Sequence, residues 1–119
     1  APGLHHWRNG GLVLVQPGDL RSAAVRLALD QEAAGSAAAN LYLWCRLPEV
    51  LGAWGNRGYR AVQLAAAMAG GRVYLAAHAL GLGATGLTFY DDEVAALLGE
   101  PPEQTAVLFL VACGRRRAE

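Results

Sequence analysis

Residues 54–83, WGNRGYRAVQLAAAMAGGRVYLAAHALGLG, constrain this chain more than any other stretch. Tyr59, Val62, Ala66, Ala69, Val73, Ala76 and Leu80 recur at alternating steps of three and four, which puts them on one apolar stripe of a helix. The spacing predicts a core-facing helix over 57–80. At 1.5 Å per residue it runs roughly 36 Å, about the width of a domain of this size, and should pass through its middle. Its centre carries Ala65, Ala66, Ala67, Ala69, Gly70 and Gly71. Interior glycines cost about 1 kcal/mol each relative to alanine, so something must offset them. Side chains this small admit another backbone or a flat ligand, which reads as a tight packing seam. The plainer alternative is an alanine-rich helix with a small kink at Gly70.

The rest of the composition bounds what that helix can belong to. With 119 residues the chain is one domain or a piece of one, and 54% hydrophobic against 17% charged residues suits a buried core, not disorder. All ten basic residues are arginine, and ten acids balance them to a net charge of +0. That balance disfavours a nucleic-acid binder. Gln63, Arg72 and His78 interrupt the central helix, so it is no membrane span. The chain opens on Ala1-Pro2 with no cleavable leader, and the expectation is a sequence that begins mid-protein. Cys45 and Cys113 both fall in expected strands, where reduced buried thiols of a cytoplasmic protein are the default; sequence alone leaves a disulfide open.

Asn9-Gly10 between apolar runs at 4–7 and 12–16 signals a β-hairpin. His5 and His6 fall on opposite faces of its first strand, so they cannot share a metal and are expected to be partly exposed. Asp19 is a good N-cap for a helix carrying Leu20, Ala23, Ala24, Leu27 and Ala28 and ending near Gly35. Residues 38–47 read as a strand buried on both faces and stopped by Pro48, followed by a turn over 48–53. Gly81-Leu82-Gly83 ends the central helix. Residues 84–90 are extended, Asp91, Asp92 and Glu93 open a helix that ends at Gly99, and Pro101-Pro102 forms a loop. The apolar run at 105–113 belongs at the centre of a sheet. The expected order is β, β, α, β, α, β, α, β in one α+β unit.

Spacing names no reaction. There is no Walker loop, nucleophile elbow or metal-ligand set. Gly81-x-Gly83-x-x-Gly86 matches a dinucleotide fingerprint, yet it follows a helix instead of joining a strand to one. Arg115, Arg116 and Arg117 either hold a phosphate or form a solvated tail.

GNRGYR at 55–60, VYLAAHALGLGA at 73–84 and DDEVAALLG at 91–99, followed by an apolar strand and Gly114, resemble the nitroreductase family, nearest its SagB-type dehydrogenase branch of azoline-to-azole oxidation. The pattern reaches back through Gly18-Asp19-Leu20 to Pro2-Gly3-Leu4, and so covers nearly the whole chain. The resemblance implies an α+β, nitroreductase-like mixed sheet flanked by helices, with the long central helix at a dimer-type interface where FMN sits. It implies that residues 1–119 are the C-terminal part of such a domain, with the segment that grips the FMN phosphate lying in the N-terminal part. It turns the backbone of Gly86, Leu87 and Thr88 to the flavin ring, puts Phe89 where the family has glycine, and offers Arg115 or Arg117 as phosphate partners. A homodimer or a partner half completes the site, and the substrate is a small molecule or peptide. The Lys-Tyr pair of azoline-oxidising members corresponds to Ala53 and Trp54, neither of which transfers a proton at neutral pH. Polar interface positions of the central helix become Ala65, Ala67, Met68, Gly71 and Arg72. Two functions follow: an FMN-dependent oxidoreductase, or a catalytically degenerate partner of the same fold. The catalytic residues are unassigned.

Overall fold

Asn9 and Gly10, at φ 50° and 81°, make the tight turn that their sequence predicts, joining β1 (Gly3–Arg8) to β2 (Gly11–Pro17). A computed structural model describes residues 1–117. His5 and His6 do lie on opposite faces of β1, but His6 is only 8% exposed, because the Trp44 ring covers it with centroids 6.0 Å apart. Asp19 Oδ1 accepts the Arg21 N–H at 2.9 Å just ahead of α1 (Arg21–Leu27), whose N-cap position is Leu20, one residue later than expected. The single helix expected to reach Gly35 breaks instead. Leu29 and Asp30 turn left-handed at φ 54° and 58°, and the chain resumes as α2 (Glu32–Ser36). Gly35 lies inside α2, where a Cβ would collide with Val25 of α1. Glycine there serves close helix packing, not helix termination.

β3 (Ala39–Arg46) leads into α3 (Leu47–Trp54), where a turn was expected. Pro48 stops the strand but is well suited to a first helical turn, since its missing N–H needs no partner there. Gly55, at φ 62°, separates α3 from α4 (Asn56–Ala79), the long helix. A Cβ at Gly58 would stand 2.8 Å from Trp54 Cβ and 2.9 Å from the Val50 carbonyl, so glycine permits that corner. At the far end Gly81 takes φ 69°, and the Leu82 N–H donates to the Ala77 carbonyl at 2.8 Å, closing a Schellman cap.

β4 (Gly83–Gly86), α5 (Asp91–Leu97), one 3₁₀ turn (Pro102–Gln104) and β5 (Thr105–Gly114) complete the described chain. The sheet order is β3-β5-β4, antiparallel throughout, with the apolar β5 central as its sequence predicts. β3 is an edge strand with half-buried residues, not one buried on both faces, because only β5 pairs with it. Against one face of the sheet pack Leu27 of α1, Ala34 of α2 and Val94, Ala95 and Leu98 around α5, meeting Val107 and Leu110 of β5. α4 covers the other face.

Through the middle of α4 the predicted stripe holds: Ala66 is buried and Val62, Ala69 and Val73 are half-buried. At its ends the inward residues are Gly58 and Ala77, and Tyr59, Ala76 and Leu80 face out. The helix therefore lies on the sheet instead of crossing the middle of the molecule. Gly70 is the seam. A Cβ there would collide with the Cδ1–Cε1 edge of the Phe109 ring, whereas Gly71 faces open space. Cys45 and Cys113 are both free; their partners across the β3–β5 ladder, Ala106 and Ala39, put them at opposite ends of it, out of disulfide reach.

Candidate functional site

Among the described residues β4 pairs with β5 on one side only, which leaves its other edge without a strand. Gly83 stands opposite Gly114 and Gly86 opposite Val111, which places Arg115 at one end of β4 and the 86–88 segment at the other. At about 3.4 Å per residue the two ends are roughly 10 Å apart. A groove of about 250 Å³ at the Arg115 end is lined by Arg115, Ser36 of α2, Thr85 of β4, Cys113, Gly83 and Gly114. The Arg115 guanidinium is the donor this shallow groove offers a phosphate-sized anion, since the Ser36 hydroxyl donates to the Glu32 carbonyl at 3.0 Å and the Thr85 hydroxyl to the Gly86 carbonyl at 3.4 Å. Arg116 turns the other way and lies over Gly83, where a Cβ would stand 3.2 Å from its Cγ. Arg117 is exposed and does not line the groove.

The 86–88 segment is tied down on both sides. The Gly86 N–H donates to the Tyr74 hydroxyl of α4, and the Leu87 N–H donates to the Leu110 carbonyl at 3.1 Å. Gln31 Nε2 donates to Thr88 Oγ1 at 3.1 Å and to the Ala28 carbonyl at 2.8 Å. The Gly86 and Leu87 amides are thus engaged inside the chain, and Thr88 is the exposed member of the three. Phe89 points into the core, edge-on to Tyr42 with centroids 6.5 Å apart, so its ring does not stand over Gly86. Against the demands of FMN the phosphate end fits. The ring end offers Thr88 and the Tyr74 hydroxyl, whose own hydrogen is free to donate while its oxygen accepts from Gly86.

Ala53 and Trp54 close α3, and Trp54 is 74% exposed. Ala65, Ala67, Met68, Gly71 and Arg72 all lie on the outward face of α4. Sequence reasoning missed Tyr74, Gln31, Ser36 and Thr85. Each acquires its place through contacts between distant segments, and no local pattern marks it.

A larger groove, of about 1160 Å³, runs between β1 and β3. Of the arginines lining it, Arg21 donates to the Gly35 and Ala37 carbonyls and Arg46 to Glu100, so two of the guanidiniums are already occupied. Arg8, the third, is turned to His6 Nδ1 at 3.1 Å, so the smaller groove with Arg115 is the better phosphate site despite its size. Burial raises the pKa of Tyr42, whose hydroxyl finds no partner among the described residues, and that of Cys45. Among the described residues no cluster of three metal-binding side chains occurs, and no helix is long and apolar enough to cross a membrane.

Comparison with known proteins agrees with this architecture. The family model described as "Nitroreductase family" matches residues 8–115. Among solved structures, a protein assigned as a nitroreductase from Anabaena variabilis is 34% identical with a TM-score of 0.83, over 89% of this chain and 22% of its own. A protein assigned as an NAD(P)H:FMN oxidoreductase from Staphylococcus epidermidis shares the fold at a TM-score of 0.69 and 12% identity, over 87% of this chain and 65% of its own. No curated protein matches the sequence. The chain thus spans about a fifth of the Anabaena protein and about two thirds of the Staphylococcus one. With a family match over nearly its whole length and an α+β fold whose sheet, antiparallel among the described residues and not mixed as expected, is flanked by helices, the chain belongs to the nitroreductase family.

Proposed function

We propose that this chain is the C-terminal part of an FMN-dependent oxidoreductase of the nitroreductase family, in the SagB-type branch. The observation that carries the reading is the outer edge of β4, with Arg115, Ser36 and Thr85 at one end and the 86–88 segment at the other. Arg115 would hold the phosphate, with Arg117 the alternative two residues further along the chain, and Gly86, Leu87 and Thr88 would form the backbone beside the ring. FMN, when bound, supplies reversible hydride transfer. The chain's own residues supply charge-assisted hydrogen bonds at Arg115 and a fixed wall at the 86–88 segment, held by Tyr74, Leu110 and Gln31.

The exposed face of α4, with Leu64, Met68 and Leu75 at 63%, 56% and 72% exposure, suits a second copy or a partner half that completes the site. The substrate would be a small molecule or peptide. A second reading, a catalytically degenerate partner of the same fold, is favoured by one observation: the 53–54 corner bears Ala53 and an exposed Trp54, neither able to move a proton. Colour separates the two. An oxidoreductase purifies yellow or is reconstituted by added FMN, which it releases on denaturation; a colourless protein that cannot be reconstituted leaves the second reading.

A further inference from the structure

The Tyr74 hydroxyl and the Gly86 amide meet at the surface of the molecule, and the register of the sheet tells on which side of β4 they do so. In an antiparallel pair, opposed residues alternate between those that exchange main-chain hydrogen bonds and those whose N–H and C=O turn outward. Leu87 donates to the Leu110 carbonyl at 3.1 Å, so Gly86, one residue earlier and opposite Val111, is of the outward kind. Its N–H points away from β5, toward whatever lies beside β4, and the acceptor it finds there is the Tyr74 side chain.

Tyr74 is brought to this place by the helix that carries it. Gly70 lets α4 settle on the Phe109 ring, and Tyr74, one turn later on the same side of the helix, reaches across to the end of β4. Gly86 completes the fit, because the Tyr74 hydroxyl and the Phe109 ring both stand 3.4 Å from where its Cβ would be. The contact is made wholly between α4, β4 and β5, and with Tyr74 39% exposed a ligand beside β4 can reach it.

A main-chain N–H is a single donor, so the Gly86 amide is spent on Tyr74. A phenol both accepts and donates; with the amide on its oxygen, Tyr74 keeps its own O–H, for which no acceptor occurs among the described residues. The donor presented at this end of β4 is therefore the Tyr74 hydroxyl, set just beyond the amide it covers. The isoalloxazine ring of a flavin has carbonyl oxygens and imine nitrogens that accept such a bond.

We infer that, within the flavin site proposed above and resting on that reading, the Tyr74 hydroxyl is a hydrogen-bond donor to the flavin ring, in place of the Gly86 amide. The test uses the full-length protein and riboflavin, which has the ring without the phosphate and so leaves Arg115 out of the measurement. Tyr74→Phe should weaken riboflavin and FMN by the same factor, about fivefold, the loss of one neutral hydrogen bond, since the Gly86 amide it releases stands too far back to take over. It should also shift the longest-wavelength absorption band of the bound flavin, which responds to hydrogen bonding at the ring. 3-Fluorotyrosine in place of Tyr74, a stronger donor and a weaker acceptor of nearly the same size, should tighten riboflavin.

A side chain that only clamps Gly86 works as an acceptor, so weaker riboflavin binding on fluorination, with the band unmoved, overturns the inference. Unchanged riboflavin affinity in Tyr74→Phe overturns it too, while tighter binding of FMN than of riboflavin by the parent leaves the flavin site itself standing. Loss of riboflavin on Thr88→Val but not on Tyr74→Phe assigns the donor to Thr88 and is equally contrary. Binding of neither flavin by the parent removes the site and the inference together.

Discussion

Gly70 of α4 and Phe109 of β5 occupy one space: the ring lies where a side chain at position 70 would begin. This contact explains why a central helix tolerates an interior glycine. It lets α4 settle onto the sheet beside Gly86, whose own missing Cβ would stand 3.4 Å from both the Phe109 ring and the Tyr74 hydroxyl.

Gly70→Ala and Gly71→Ala should therefore have opposite signs. At Gly71, which faces open space, alanine stabilises by about 1 kcal/mol through helix propensity. At Gly70 the same gain is outweighed by overpacking of about 1–3 kcal/mol against Phe109. Urea denaturation of the two variants checks this, and equal stabilisation at both positions would refute the packing account.

Tyr42 is half-buried, its hydroxyl oxygen is shut off from solvent without a partner among the described residues, and burial raises its pKa above the ordinary 10.0. The neutral phenol is thus favoured in the folded state; its contribution is complete below pH 10.0 and is lost as pH climbs toward the raised value. Tyr42→Phe should stabilise the free protein by about 1 kcal/mol, because a desolvated, unsatisfied group is removed. It should also flatten the fall in stability above pH 10.0, read from thermal melts across an alkaline series. An unchanged alkaline limb would mean that another group governs it.

Leu64, Met68 and Leu75 form an exposed apolar row on α4. Changing all three to Gln should convert a self-associating protein to a monomer without lowering its melting temperature, since none of the three is buried in the core. Sedimentation velocity at micromolar concentration reads the outcome; a parent chain that is already monomeric removes the interface.

The central strand, the hairpin, the long helix and its cap were legible because each rests on local pattern: an unbroken apolar run at 105–113, Asn9-Gly10, a repeat of three and four, and Gly81. What was not legible depends on contacts between distant segments. The break at Leu29 and Asp30 arises where α2 folds back on α1 through Gly35, and α3 forms where Pro48 reads equally well as a stop or a start. In the candidate site, Arg115 and the 86–88 segment enter as proposals from family resemblance. Tyr74 was not, because its partner is a backbone N–H twelve residues away.

Azoline oxidation needs a base for the ring proton as well as a hydride acceptor, and general acid–base help is worth about 10² to 10⁴ in rate. With Ala53 and Trp54 at the α3–α4 corner, flavin-loaded protein should show nicotinamide-dependent reductase activity and no oxidation of thiazoline or oxazoline peptides. Mass spectrometry for the two-hydrogen loss reads this directly. Azole formation by the unmodified protein would place the acid–base pair elsewhere.

The most direct test of the flavin reading is the affinity of FMN and riboflavin for the protein and for its Arg115→Gln variant, followed by quenching of flavin fluorescence. Riboflavin has the ring but no phosphate. If Arg115 holds the phosphate, FMN binds the parent more tightly than riboflavin, and Arg115→Gln weakens FMN by about tenfold, the loss of one charge-assisted hydrogen bond, while leaving riboflavin unchanged. Equal losses for both flavins, or no binding of either by the parent, would contradict the account.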